Sequence, residues 1–288
     1  ASLLKLVSGW LSDRLGKRRP FVLFGYTLSS ASRPLMALAS SGWTVLGLRV
    51  SDRIGKGLRS APRDALIADV TPPEGRGRAF GFQRAMDHAG AVVGPLVAFA
   101  LLYQAKWDYR TIFALSAIPA LFAILVVAVW VRDAPARQAK AAAAPVALSQ
   151  WRTLDRRLLA VLGTIGLFTL GNSSDAFLIL RAKDLGVPAM LIPILWVVLH
   201  VVKSATSTPA GALSDRIGRR RLIVGGWLVY ALVYAGFAFA SRDWHVWALF
   251  LAYGTFFGMT EGAEKALVSD LAKPEERGVA FGLYAFMI

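Results

Sequence analysis

The 288-residue sequence contains no cysteine and few charged residues. The lack of cysteine excludes a disulfide framework, a thiol nucleophile and a cysteine-ligated metal site. Charged residues make up 18% of the chain, against about 25% in ordinary soluble domains. Hydrophobic residues make up 56%, and the mean hydropathy is +0.51. This composition excludes disordered, collagen-like and coiled-coil proteins, and it favours a helical protein that crosses a membrane several times.

Sequence patterns of catalysis are missing as well. There is no glycine-rich phosphate loop with lysine, no Gly-x-Ser-x-Gly elbow and no His/Glu spacing typical of a metal site. We therefore expect a protein that is not an enzyme and that has neither a cofactor nor a bound metal.

Long apolar runs dominate the sequence. A membrane helix needs about 20 mostly apolar residues. The sequence predicts partial spans at 1–10 and from 279 onwards, with full spans at 20–40, 42–62, 79–102, 111–131, 158–180, 189–210, 222–240 and 244–263. The chain is thus expected to be an integral, multi-pass membrane protein.

Basic residues are distributed unevenly between the connections. Alternate connections hold 20 Lys and Arg residues on one side of the membrane and 5 on the other. The positive-inside rule assigns the richer side to the cytoplasm. This asymmetry accounts for the net charge of +15, so a nucleic-acid partner is not expected.

Two segments occur twice at an offset of 201 or 202 residues. The segment Gly9–Arg19 matches Gly211–Arg221, and Ala68–Gly81 matches Ser269–Gly282. The repeat predicts two similar helix bundles, at 1–132 and 158–288. The alanine- and proline-rich segment 133–157 between them is typical of a cytoplasmic linker, although a helix lying on the membrane surface remains an alternative.

At these residues the sequence resembles the major facilitator superfamily. Both copies contain the family signature Gly-x-x-x-Asp-Arg-x-Gly-[Arg/Lys]-[Arg/Lys]. The resemblance implies an all-α membrane protein of two pseudo-symmetric transmembrane helix bundles. It aligns the chain with part of span 2 through the start of span 11 of a twelve-span fold, which makes the sequence a fragment of such a protein.

The resemblance also implies a gating role for the signature. Asp13 is expected at the start of span 11 near Gly278, and Asp215 at the start of span 5 near Gly77. The gating residues implied in this way are Gly9, Asp13, Arg14, Gly16, Arg18, Gly211, Asp215, Arg216, Gly218 and Arg220. The alternative is that these residues are only positively charged clusters that orient the chain in the membrane.

Span 5 carries a second motif, which is similar to the antiporter motif Gly-x-x-x-Gly-Pro-x-x-Gly of the family. Its residues here are Gly90, Gly94 and Pro95, with Ala98 in place of the last glycine. Small residues four apart let helices approach closely. The motif favours an exporter, with plain helix packing as the alternative.

Ionisable residues inside predicted spans are costly in lipid and therefore indicate function. Span 4, the predicted span at 42–62, carries a charged stripe that consists of Arg49, Asp52, Arg53, Lys56, Arg59 and Arg63. Arg49 matches the arginine that the family associates with proton coupling. The predicted substrate and proton pathway comprises Arg49, Asp52, Arg53, Lys56, Asp87, Asn172 and Asp175. A structural ion-pair network is the alternative for this set.

The sequence therefore predicts a secondary active transporter that works by alternating access. The favoured function is proton-coupled efflux of an anionic or zwitterionic small molecule. The expected setting is the lipid bilayer of a bacterial inner (plasma) membrane, with the protein as a monomer. Uptake or exchange of an organic anion is one alternative, and a non-transporting membrane sensor is another.

Overall fold

The computed structural model describes residues 2–133, 154–172 and 174–288, and all regular elements in these ranges are helical. The α-helices are α1 Ser2–Leu15, α2 Arg19–Leu35, α3 Gly42–Val70, α4 Arg76–Tyr103, α5 Tyr109–Leu115, α6 Ala117–Trp130, α7 Arg156–Gly171, α8 Asp175–Asp184, α9 Ile192–Ile217, α10 Arg219–Phe239, α11 Asp243–Leu271 and α12 Arg277–Met287. The predicted linker lies mostly outside the described residues, since these omit 134–153.

Among the described residues, four helical segments are long and apolar enough to cross a membrane by length and composition. They are Pro73–Tyr103, Tyr109–Trp130, Ala189–Ile217 and Arg219–Phe239. Two further helices, α3 and α11, have 29 residues each, and at about 1.5 Å per residue each exceeds the ~30 Å hydrocarbon core. Their lower apolar content comes from ionisable residues, several of which belong to the predicted pathway.

Large apolar side chains are exposed on the outside of these helices. On α6, Ile118, Leu121 and Phe122 are each at least 65% exposed. In water such a surface would be unfavourable, because burying apolar area contributes about 25 cal/mol per Å². A surface of this kind fits a bilayer environment instead.

Two turns between helices each contain a glycine with a positive φ. Gly16 follows α1 with φ of +61°, and Gly218 follows α9 with φ of +98°. Glycine adopts this region of φ without the Cβ clash that other residues meet. Both glycines belong to the repeated signature, so the repeat in sequence is also a repeat in local structure.

The chain folds into two compact units. Unit 1 comprises Ala1–Val70, Val97–Gly166 and Val268–Ile288, and unit 2 comprises Thr71–Leu96 and Leu167–Leu267. Each unit thus takes residues from both sides of the predicted linker. The two bundles expected at 1–132 and 158–288 remain a prediction.

Within unit 1, α2 and α3 cross closely at two glycines. A Cβ atom at Gly55 would lie 2.7 Å from the carbonyl oxygen of Gly25 and 2.7 Å from the backbone nitrogen of Ser29. Since real Cβ atoms do not approach other atoms this closely, only glycine fits at this crossing. The close approach brings the polar residues of α2 and α3 together.

Within unit 2, the core is aromatic. Tyr253 and Phe250 are each 1% exposed, and Tyr230 is 8% exposed. Rings of α7, α10 and α11 contact one another, with Phe168 stacked on Trp227 at a centroid distance of 4.6 Å. Tyr253 and Phe256 of the predicted span 10 therefore serve in helix packing.

The crossing of α2 and α3 predicts a sharp contrast between two glycines of the same helix. Gly55→Ala should lower the free energy of unfolding by about 1–3 kcal/mol, because the added methyl overpacks the contact with α2. Gly47→Ala should change it by less than about 0.5 kcal/mol, since no atom lies within 4 Å of a Cβ at Gly47. Thermal unfolding of the two variants in detergent checks this. Equal effects would contradict the described crossing.

Candidate functional site

Asp13 lies at the amino end of α12. Its Oδ1 atom accepts a hydrogen bond from the backbone N–H of Gly278 at 3.0 Å, and Oδ2 accepts one from Val279 at 2.8 Å. The first N–H groups of a helix have no partner within the helix, and the helix dipole favours a negative charge there. The predicted position of Asp13 beside Gly278 is therefore found in the structure.

A buried network of ion pairs surrounds this contact. Arg18 binds Asp13 at 2.8 Å and Asp69 at 2.5 Å, and Arg277 binds the other oxygen of Asp69 at 2.7 Å. All four side chains are at most 10% exposed. The network joins α1, α3 and α12. Asp69 and Arg277 are absent from the predicted site, although both belong to the second repeated segment, which is the signal that could have identified them.

The second copy of the signature makes the equivalent contact in unit 2. Asp215 accepts hydrogen bonds from the backbone N–H groups of Gly77 and Arg78, both at 2.9 Å. This is the predicted position for Asp215. Asp215 is supported by a different arginine from the one that supports Asp13. Arg219 pairs with Asp215 and also donates to the carbonyl oxygen of Pro73 at 2.9 Å.

Glycines allow the helices to meet at both contacts. A Cβ at Gly9 would overlap the carbonyl oxygen of Gly278, and a Cβ at Gly211 would overlap that of Gly77. The three remaining arginines of the predicted gating set, Arg14, Arg216 and Arg220, are exposed. Arg14 lies over the ring of Trp10 at 5.5 Å.

The antiporter-like motif lies on an exposed face of α4. No described atom lies within 4 Å of a Cβ placed at Gly90 or Gly94, and both glycines are exposed. A close helix approach at these glycines therefore stays a prediction. Pro95 lies inside α4, which continues to Tyr103.

The charged side chains of α3 have different surroundings. Asp52 accepts hydrogen bonds from Ser29 of α2 at 2.6 Å and from Lys56 at 2.7 Å. Arg49 and Arg53 are exposed and line a groove with Leu4 of α1. The stripe thus divides into a paired carboxylate that faces α2 and two arginines that lie along a groove.

A separate cavity of about 210 Å³ lies between α2, α3 and the α5–α6 segment. Arg33, Arg59 and three serines contribute to its lining, together with Tyr26. The guanidinium of Arg59 lies 3.9 Å from the centre of the Tyr26 ring, which is within the range of a cation–π contact. Arg63 instead pairs with Asp64 at 2.9 Å.

The predicted span at 158–180 consists of two helices in the structure. The α7 helix ends at Gly171 and α8 begins at Asp175, while Ser173 lies outside the described residues. Asn172 accepts a hydrogen bond from Tyr230 at 2.8 Å, and Asp175 accepts one from Tyr253 at 2.7 Å. Both predicted site residues are therefore held by tyrosines of the unit 2 core.

Unit 2 contains a cluster of ionisable residues. Of its members, only Asp87 belongs to the predicted pathway. Glu261 of α11 accepts two hydrogen bonds of 2.6 Å from Arg84 of α4 and one of 2.9 Å from His88. The other ring nitrogen of His88 lies 3.2 Å from Nδ1 of His200 on α9. Sequence spacing gives little sign of this cluster, because its members come from three helices that are distant along the chain.

The pKa of Asp13 responds to its surroundings. Burial raises it from 3.8 to about 6, against the lowering effect of Arg18 and of the two backbone donors. The closed contact with α12 thus binds a proton more tightly than a solvated aspartate does. By linkage, the contact is most stable below about pH 4 and loses that extra stability as the pH rises through about 6.

Comparison with known proteins identifies the family. The sequence model of the Major Facilitator Superfamily matches residues 1–288. The chain belongs to the Major Facilitator Superfamily. It is therefore an integral, multi-pass membrane protein of a transporter family and not an enzyme, as the sequence predicts.

Relatives of this superfamily member come from archaea and bacteria. An uncharacterized MFS-type transporter of Methanocaldococcus jannaschii is 33% identical over 290 residues, which cover 99% of the chain and 72% of the relative. The multidrug resistance protein MdtH of Cronobacter sakazakii is 26% identical over 282 residues, covering 97% of the chain and 68% of the relative.

The crystal structure of the human organic anion transporter MFSD10 (TETRAN) superposes with a TM-score of 0.78 at 16% identity, covering 99% of the chain and 72% of that structure. This likeness confirms the major facilitator fold, and hence the predicted all-α class.

Removal of the Asp13 carboxylate should loosen the start of α12. In Asp13→Ala the N–H groups of Gly278 and Val279 lose their acceptor, which costs about 2–3 kcal/mol at a buried site. We expect hydrogen exchange of these amides, measured by mass spectrometry, to become at least about tenfold faster. Arg14→Gln, a change at an exposed residue of the same signature, should leave the rate unchanged. Equal exchange in wild type and Asp13→Ala would contradict the contact.

The raised pKa of Asp13 predicts a pH dependence of the same measurement. After correction for intrinsic exchange, protection of Gly278 and Val279 in the wild type should decrease as the pH rises from 5 to 7.5, because the closed contact holds the proton. The difference from Asp13→Ala isolates this residue from other titrating groups. Protection that is constant or increases over this range would contradict the assigned shift.

Proposed function

We propose that this chain belongs to a secondary active transporter that exports a small molecule in exchange for protons by alternating access. Membership of a transporter superfamily and the similarity to a multidrug resistance protein support export. The antiporter-like residues Gly90, Gly94 and Pro95 support the same direction, although they act without a close helix neighbour among the described residues.

The observation that carries the proposal is the repeated contact between an aspartate and a helix amino end. Asp13 binds the start of α12 and Asp215 binds the start of α4, each through two backbone N–H groups. Because the aspartate lies on one helix and the N–H groups on another, either contact can break without unfolding a helix. Two such contacts, on the predicted cytoplasmic side, are suited to hold one side of a transporter closed and then to release it.

The excess of cations on α3 favours an anionic or zwitterionic substrate. Arg49 and Arg53 are exposed along one groove, while the carboxylate of Asp52 is already occupied by Ser29 and Lys56. A cation substrate would meet repulsion from these two arginines, whereas a carboxylate or phosphate group would find donors. We assign substrate binding to Arg49, Arg53 and Lys56, with Asp52 orienting the lysine.

Acidic residues within predicted spans fit coupling to a proton gradient. Asp52, Asp87 and Asp175 lie at such positions, and Asn172 lies beside Asp175 at the break between α7 and α8. No nucleotide-binding loop is present in the sequence, which fits an ion gradient as the energy source. The proposed setting is the inner membrane of a bacterium, with a monomer as the working form.

Binding to the full-length protein tests the substrate class. A thermal-shift screen with small carboxylates, phosphates, zwitterions and lipophilic cations should find anionic or zwitterionic ligands. Arg49→Ala should weaken binding of these ligands by about tenfold or more, because a charge-assisted hydrogen bond contributes about 1.5–3 kcal/mol. Asp52→Asn should weaken binding less, since it only releases Lys56.

The exposed Arg242 provides the control, since Arg242→Ala removes the same charge outside the groove. If neither Arg49→Ala nor Asp52→Asn changes the binding of any ligand, the assignment to α3 is wrong. Ligands that bind should then enter everted proteoliposomes with an acidic interior, as export in exchange for protons requires. Entry only into right-side-out vesicles under an inward proton gradient would instead support anion uptake. Binding without movement in either orientation would support a sensor.

A further inference from the structure

The Glu261 cluster of unit 2 is partly buried and joins three helices. Glu261 receives Arg84 through both carboxylate oxygens, in the two-pronged geometry that guanidinium and carboxylate groups prefer. The side chain of His88 is 7% exposed, that of Arg84 is 24% exposed and that of Glu261 is 21% exposed. An ion pair in apolar surroundings is a weak source of stability, because desolvation offsets most of the attraction. Its presence here calls for a functional account.

The two histidines form a path to Glu261. His88 donates its Nε2–H to Glu261, so in the neutral imidazole its Nδ1 atom is an acceptor. The Nδ1 atom of His200 lies 3.2 Å away and must therefore donate its hydrogen. The Nε2 atom of His200 is left at the far end of the path, on a side chain that is only half-buried.

We propose that Glu261 binds the coupling proton, that the proton arrives through His200 and His88, and that its arrival moves Arg84 from Glu261 to Asp87. This assignment rests on the proton-coupled transport proposed above. The transfer is balanced. One proton binds Nε2 of His200, the Nδ1 proton of His200 passes to Nδ1 of His88, and the Nε2 proton of His88 passes to Glu261. Both imidazoles end neutral and Glu261 ends as an uncharged acid.

Asp87 is placed to receive Arg84. Its Oδ2 atom lies 3.4 Å from the guanidinium, and its side chain is 45% exposed, more than twice as much as that of Glu261. When Glu261 loses its charge, the pair with Asp87 is the stronger remaining attraction for Arg84. The bidentate link between α4 and α11 would then be lost, which gives the proton a mechanical effect on the helix whose start Asp215 holds.

Other charged groups set the balance of this switch. Those that lie near Glu261 or the histidines include Arg84 and Asp87 on α4, Lys203 on α9 and Asp175 on α8. Lys265 donates to Gln83 at 3.1 Å, and Gln83 in turn donates to Asp87. Asp87 therefore has a hydrogen-bond donor of its own besides Arg84.

Infrared difference spectroscopy tests the proposal with the proton itself as the probe. Spectra of the full-length protein in proteoliposomes, recorded as the pH is lowered, should show a carboxylic acid band that is absent in Glu261→Gln. Glu74→Gln, which changes an exposed glutamate in the turn before α4, should retain the band. Arg84→Gln should raise the midpoint of the band by about one pH unit or more, because a cation no longer favours the carboxylate.

The rate at which the carboxylic acid band appears tests the path through the two histidines. After a rapid drop in pH, His200→Asn should slow the appearance of the band by about tenfold or more and leave its midpoint nearly unchanged. This variant also serves if Glu261→Gln fails to fold. A band that persists in Glu261→Gln, or an unchanged rate in His200→Asn together with an unchanged midpoint in Arg84→Gln, would overturn the proposal. Failure of the wild type to move any ligand under a proton gradient would refute the transport function instead, whatever the spectra show.

Discussion

The cost of placing ionised side chains among apolar helices is the constraint on which this structure depends. A charged residue at the centre of a bilayer costs about 3 kcal/mol or more, and the described helices contain many. The structure meets this cost with short, specific contacts, such as Glu261 against Arg84. On the predicted cytoplasmic side, the buried Asp13 is bound in a similar way at the start of α12. Breaking such a contact leaves a charge without a partner. Each contact therefore holds its conformation until another group can bind that charge.

The repeated signature makes the same backbone contact twice, with different ion pairs around it. Asp13 is held by Arg18, which also binds Asp69 and so reaches Arg277. Asp215 is held by Arg219 of the following helix. The two copies therefore share one backbone contact and differ in the ion pairs around it.

Much of the fold could be predicted from the sequence, and the site only in part. The helical class follows from the apolar runs, which are local patterns, whereas the partners of Asp13 and Asp215 are implied by the resemblance of the repeated signature to the family. The Glu261 cluster depends on the register of α4, α9 and α11, which no local pattern specifies. The glycines of α4 show the opposite case, because Gly90 and Gly94 match a packing motif but have no close neighbour among the described residues.

Distances between α1 and α12 test the central claim that the aspartate contact opens and closes. The 288-residue sequence has no cysteine. Spin labels can therefore be attached to cysteines introduced at the exposed residues Arg14 and Lys273. In the full-length protein, any cysteine outside this sequence is first replaced. Double electron–electron resonance should show two distance populations in the wild type, with the longer one enriched in Asp13→Ala. A single distance that is the same in both proteins would contradict the account.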